Sequence, residues 1–235
     1  MNVATTYLGA RSHLAQILDK CGIVDPPVVV DAVTLNREGL VEQLETTANA
    51  AKRLLIRPEV INKDISDRAA DYLAWLDTIE SRLRQFGETR VLTLPRSAED
   101  WEEDINKAIE FKVFCLVEPA QFISLISRKQ RTEMVQAAVN ATAAGAKFQP
   151  TVTPSTVPVY SITKILSSEF GENIRSEKVK PADLYDVMVT AGMGAELSNR
   201  IISAQQLAVS EVAINNPNGE EALEDFRTYV SRKKQ

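Results

Sequence analysis

Few side chains in this sequence invite a catalytic reading: one histidine, His13; two cysteines, Cys21 and Cys115; and five carboxylates packed into "EDWEED" at residues 99–104. Ser–His or Cys–His catalysis needs an imidazole within hydrogen-bond reach of its nucleophile. His13 has no nucleophile fixed beside it, and Cys21 is eight residues on, about two helical turns away. His13 therefore reads as a packed or surface residue. The cysteines sit in "LDKCGIV" and "FKVFCLV", apolar settings that describe reduced, buried thiols rather than a disulfide framework. Carboxylates bind Mg²⁺ or Ca²⁺, but a calcium loop needs alternating ligands, a central Gly and a distant Glu, which "EDWEED" lacks. Acidic residues in a first helical turn are favoured by the helix dipole in any case.

"AGMGAE" (191–196) holds two glycines but no third, and a helix rather than a strand precedes it, so it fails the context of a dinucleotide fingerprint and reads as a helix end and restart. "ELSNRIISAQQL" (196–207) has the place of a recognition helix in a helix-turn-helix but carries one cation, Arg200. "ISRKQRTE" (126–133) clusters Arg128, Lys129 and Arg131; a solvated helix face competes there with a phosphate or acidic-partner contact. The net charge of −5 argues against coating nucleic acid, which rests on a surplus of Lys and Arg. These residues predict no catalytic, cofactor-binding or metal site.

The elements that would position such residues read as mainly helical. A helix over 3–20 ends at Gly22. "IVDPPVVVDAV" is a connector with room for one brief strand. A second helix over 36–55 follows from Leu40, Leu44, Ala48, Ala51 and Leu55 at 4-4-3-4 spacing. From 65 to 86, Ile65, Ala69, Tyr72, Leu76, Ile79, Leu83 and Phe86 recur at 4-3-4-3-4-3, a period of 3.5 that makes an apolar seam. "TRVLTLPRS" is strand-like and stops at Pro95. Ser97 and Asp100 cap a helix over 98–110. "FKVFCLV" is a buried strand or a helix end, since periodicity does not separate the two at that length. A long helix over 120–146 ends in the small residues "AAVNATAAGA". Further helices run from 163 to Gly171, onward from Pro181, and over 220–231 after the turn "NNPNG".

Between the helices lies "KFQPTVTPSTVPVYSI" (147–162), with Pro150, Pro154 and Pro158 and no glycine. Such a segment stays extended. Its stripe of Phe148, Val152, Val157, Val159 and Tyr160 needs a surface to lie on, in the same chain or in a neighbour. The predicted organisation is an N-terminal helical domain over 1–146, an extended arm over 147–162, and a C-terminal helical region over 163–235 packed on the first: a multi-helix bundle with one or two short β segments. The arm residues, with Leu76 and Ile79 on the seam, are the predicted contacts for a protein partner or a second copy of the chain.

The N-terminus shows no apolar run after a basic patch, and no stretch reaches the roughly 20 apolar residues of a membrane span. A cytoplasmic protein without a membrane partner is the expectation. An acidic helical chain with an arm resembles the structural and assembly proteins of tailed bacteriophages, head–tail adaptors and tail-assembly chaperones among them. That resemblance implies a non-enzymatic protein acting through protein contacts, in the host cytoplasm or the virion. The alternative is a nucleic-acid-handling protein or other enzyme whose site the sequence does not display.

Overall fold

A computed structural model of the chain describes residues 6–23, 25–147, 156–214 and 218–234. In chain order it forms β1 (Tyr7–Leu8), α1 (Ser12–Asp19), β2 (Val28–Asp31), α2 (Leu40–Glu45), β3 (Lys52–Pro58), α3 (Asp67–Phe86), β4 (Glu88–Leu94), α4 (Glu102–Phe111) after a 3-10 turn at Ala98–Trp101, β5 (Val113–Val117), β6 (Phe122–Ser124), α5 (Arg128–Ala144), β7 (Thr156–Pro158), α6 (Val159–Phe170), β8 (Arg175–Val179), α7 (Pro181–Thr190), α8 (Ala195–Leu207), β9 (Val209–Ser210) and α9 (Gly219–Arg232). The fold is thus α/β and not the mainly α bundle that the spacing predicts.

The chain forms two compact units, interleaved in sequence. The first comprises Met1–Arg57, Leu73–Leu94 and Lys129–Val152; the second comprises Pro58–Tyr72, Pro95–Arg128 and Thr153–Gln235.

The first unit is built on a four-strand parallel sheet in the order β1-β2-β3-β4. Its inner strands explain the misreading. Strands of a parallel sheet are covered on both faces and read as continuous apolar runs. Val29 and Val30 on β2 and Leu54, Leu55 and Ile56 on β3 are all fully buried. In the sequence these runs sit beside helical spacings, so the 36–55 pattern joined a real helix face at Leu44 to a strand at Leu55. The predicted first helix likewise merges β1 with α1, whose buried face is Leu14, Ile17 and Leu18. The 65–86 seam is realised: Ala69, Tyr72, Leu76, Ile79 and Leu83 are buried along α3, while Ile65 and Phe86 are half-buried. On the outer face of that helix, Arg57 meets Asp77 and Glu80, each at 2.7 Å. Arg53 on β3 is fully buried and donates to the carbonyls of Thr47 (2.8 Å) and Ala48 (2.7 Å), which fixes the turn leading into its own strand.

The second unit holds β5 paired in parallel with β8, and β6 between β7 and β9 in an antiparallel sheet. "FKVFCLV" is therefore a strand. The predicted 120–146 helix gives way at its start to β6 and begins only at Arg128. A core around Trp101, Phe114, Ile123, Ile162 and Phe226 closes the unit. Of the predicted arm, residues 148–155 lie outside the described ones. Thr156–Pro158 pairs with β6, Ile123 opposite Val157, and α6 starts at Val159 rather than 163. The turn before α4 carries the predicted cap: the Ser97 amide donates to Asp100 Oδ2 at 2.9 Å. "AGMGAE" is a helix end and restart between α7 and α8.

Candidate functional site

Glu59 is the first residue past β3, and Arg96 stands two past β4. Both belong, with Ser124, to the second unit and bond to that serine. The Ser124 hydroxyl donates to Glu59 Oε2 at 2.9 Å, and the Arg96 amide donates to Ser124 Oγ at 3.3 Å. Ser124 ends β6, so its place is set by two neighbouring strands, and its carbonyl accepts from Trp101 Nε1 at 3.1 Å. Glu59 is 8% exposed. Burial disfavours the charged form and pushes its carboxyl up to about 7; the hydrogen bond from Ser124 favours the charged form and offsets part of that rise.

A second carboxyl adjoins this network. The Arg96 guanidinium lies over the Trp101 ring at 4.3 Å, and its charge acts on Asp104. Asp104 is pushed up to about 6 by burial, against the pull of Arg96 and of a 3.1 Å hydrogen bond from Gln205 Nε2. Gln205 also donates to the Cys115 carbonyl and accepts from the Val117 amide at 2.7 Å, tying α8 to β5. Glu59 and Asp104 thus both titrate near neutrality, where a general acid or base works best.

The first unit carries a different cluster, where β1 and β2 end. Arg11 grips Asp31 with two charge-assisted hydrogen bonds, Nε to Oδ2 and Nη2 to Oδ1, each at 2.6 Å. The Tyr7 hydroxyl donates to Asp31 Oδ2 at 2.9 Å. Asp31 is fully buried, and the Arg11 side chain is 13% exposed. Burial and the neighbouring Asp31 charge raise the Tyr7 hydroxyl well above its usual range. Burial works against the charge on Arg11, and the contacts to Asp31 more than offset it. The turn amides are engaged too: Ala10 N donates to Thr34 Oγ1 at 3.0 Å and Arg11 N to Tyr7 Oη at 3.3 Å. Gly9 is required here, because a Cβ would stand 2.5 Å from Tyr7 Oη and 2.7 Å from Asp31 Cβ.

The predicted contact residues lie elsewhere. Leu76, Ile79, Val157 and Val159 are buried within the chain, Tyr160 is 72% exposed, and Phe148 and Val152 fall outside the described residues. His13 is half-buried on α1. The two cysteines are free and half-buried rather than fully buried, and burial raises both thiols. The "EDWEED" carboxylates are drawn into ion pairs, Glu99 with Arg128, Glu102 with Lys233 and Glu103 with Lys107. Glu59 and Asp31 were not singled out from the sequence. Their signal is weak: an acidic residue closing or just following an apolar run, "VVVD" and "LLIRPE". For Asp31 there is in addition a distance of 22 residues from Gly9.

A parallel sheet with intervening helices is the architecture of the Rossmann-like class, and solved structures bear this out. No family model and no curated protein matches the sequence. Among solved structures, the chain is similar to an NADPH-dependent quinone oxidoreductase from Escherichia coli in complex with NADPH, with a TM-score of 0.62 and 13% identity over 95% of this chain and 81% of that one. It is also similar to a nucleoside-diphosphate-sugar epimerase from Staphylococcus aureus (0.55, 13%, 86% and 76%) and to the triphenylmethane reductase of Citrobacter sp. in complex with NADP(H) (0.53, 10%, 93% and 95%).

At these identities the likeness fixes the fold: the Rossmann-like fold of NAD(P)-binding reductases. It overturns the reading as a non-enzymatic helical assembly protein of phage type, which rested on a helical look the fold does not have, and favours the enzyme alternative. Among the described residues, no helix is long and apolar enough to cross a membrane.

The quinone oxidoreductase and the triphenylmethane reductase hold NADPH and NADP(H), but the residues at the β1–α1 turn of this chain do not fit a dinucleotide as they stand. A pyrophosphate needs free turn amides and glycines that let the backbone approach. Here the Ala10 and Arg11 amides are used internally, the space at Gly9 is filled by Tyr7, and Asp31, the last residue of β2, is held by Arg11. The described strands also follow one another as 1-2-3-4, without the reversal of winding at which a doubly wound sheet opens its crevice.

Proposed function

We propose that this chain is an enzyme of the oxidoreductase class built on the NAD(P)-binding fold, with Glu59 as the group that gives or takes the reaction's proton. The observation that carries the reading is the Glu59 carboxyl itself: nearly buried, bonded to the Ser124 hydroxyl, and pushed up to about 7. It stands in the second unit, on the chain just past β3. Reduction of a carbonyl or quinone leaves an oxygen that must be protonated. A carboxyl titrating near 7 is suited to that work, because it is partly protonated at neutral pH and still a competent acid. Ser124 orients Glu59, and Arg96 fixes Ser124 through its amide. The hydride source is not assigned to any residue, since the β1–α1 turn does not fit a dinucleotide as it stands.

The test is turnover of quinone and carbonyl substrates with NADPH or NADH as reductant, in the wild type and in Glu59→Gln. The reading expects a loss of about 100-fold or more in kcat/KM for Glu59→Gln, within the range of general acid–base catalysis, and a wild-type profile that bends near pH 7 and flattens in the variant. Equal rates in the two proteins, or no turnover with either nucleotide, contradict it.

A further inference from the structure

The mismatch at the β1–α1 turn has a specific form. Each group that a nucleotide would engage there is already satisfied by a side chain of the same unit, and with geometry that resembles ligand binding. Asp31 receives two parallel donors from Arg11, the same bidentate pattern in which a carboxylate accepts the two hydroxyls of a ribose. Tyr7 places a third donor on Asp31 Oδ2 and, through the same oxygen, accepts the Arg11 amide. Thr34 Oγ1 takes the Ala10 amide. Gly9, which would admit a phosphate, admits the Tyr7 ring instead.

We infer that Tyr7, Arg11 and Asp31 form a built-in plug at the nucleotide end of this fold: Arg11 occupies the carboxylate that a ribose would take, so the wild-type chain holds a dinucleotide only weakly at the β1–α1 turn, and removing the Arg11 side chain frees Asp31 for the ribose of NADH while Tyr7 keeps its place at Gly9. NADH is the expected occupant over NADPH, because the 2′-phosphate of NADPH would face the Asp31 carboxylate with like charge. The inference rests on the oxidoreductase reading only through the shared fold. Its test reads nucleotide binding and not turnover, so its failure and a failure of the Glu59 assignment are told apart.

The experiment is a titration of wild type, Arg11→Ala and the double variant Arg11→Ala/Asp31→Asn with NADH and NADPH, followed by nucleotide fluorescence and by the rise in Tm. The expected result is weak binding by wild type, and saturable NADH binding by Arg11→Ala with a Kd at least about tenfold lower than the wild-type value, a difference of one decade in affinity. NADPH should bind this variant more weakly than NADH. The double variant removes both charges and folds without a buried lone carboxylate, and it should lose the gain. Where Arg11→Ala does not fold alone, Arg11→Gln keeps one donor on Asp31, and an NADH-dependent rise in its Tm is the expected readout. Wild-type binding that Arg11→Ala does not improve overturns the inference. So does a double variant that gains NADH as well as the single one does, and so does an absence of binding in every variant.

Discussion

Each unit of the molecule buries a carboxyl group close to the end of a parallel strand, and the two are treated in opposite ways. Asp31 is the last residue of β2 and has both oxygens engaged by Arg11 and one also by Tyr7. Glu59 is the first residue past β3 and has a serine hydroxyl on Oε2, while no cation among the described residues offsets its burial. A matched buried pair is a structural device: its charges are fixed, and breaking it is costly. An unmatched buried carboxyl stays neutral until the pH is high enough to force the charge in, and so becomes a proton-handling group in the neutral range. Burial alone does not mark a functional carboxyl; what matters is whether a cation is buried with it.

Neutral isosteres break this comparison most sharply, because they should act with opposite sign. Asp31→Asn leaves Arg11 buried without its countercharge. A loss of about 3–5 kcal/mol is expected, a fall in Tm on the order of 10 °C by scanning calorimetry. Glu59→Gln removes the group whose ionisation is penalised. The unfolded chain releases this proton near 4.5 and the folded chain holds it to about 7, so the folded state binds more protons between those values and stability falls as pH rises through that window. Glu59→Gln should therefore match wild type near pH 4 and exceed it above pH 7 by up to about 3 kcal/mol, read as the difference between two Tm-against-pH curves. A destabilised Glu59→Gln at pH 8 would show that the charged carboxyl is satisfied by something other than Ser124.

How much of this was legible in the sequence follows from the same physics. The helices with one apolar face, α3 above all, were readable because a polar opposite face reveals the period. The strand β3 was not, because both faces are covered and no alternation remains, and β2 was legible only as room for one brief strand in a connector. Cap and break signals served well: Ser97 with Asp100, Pro95 after β4, Pro181 opening α7 and Gly171 closing α6. The site was hidden because Glu59 and Ser124 stand at the ends of β3 and β6, two strands read as helix, while Arg96 and Asp104, past a strand and on a helix that were legible, gave no sign of their partners. The Tyr7–Arg11–Asp31 cluster was hidden for the same reason, since Tyr7 on β1 lies inside the predicted 3–20 helix.

Smaller effects refine the contrast. Ser124→Ala deletes the hydroxyl that favours the charged form of Glu59 and receives the Arg96 amide. It should cost about 1 kcal/mol and move the Glu59 titration further above its place in the wild type. At the low end, Lys107→Ala breaks an exposed i,i+4 pair with Glu103 and should change stability by less than about 0.5 kcal/mol. A larger effect there would mean that the surface of α4 is coupled to Asp104.

The most direct test of the account is the titration of the Glu59 carboxyl itself, followed by ¹³C chemical shift in glutamate-labelled protein and assigned by its disappearance in Glu59→Gln. The account predicts a single step at about 7, against about 4.5 for an unperturbed glutamate, shifting upward in Ser124→Ala. A step near 4.5 that Ser124→Ala leaves in place would contradict it, because Glu59 would then be charged at neutral pH and could not serve as the proton-carrying group.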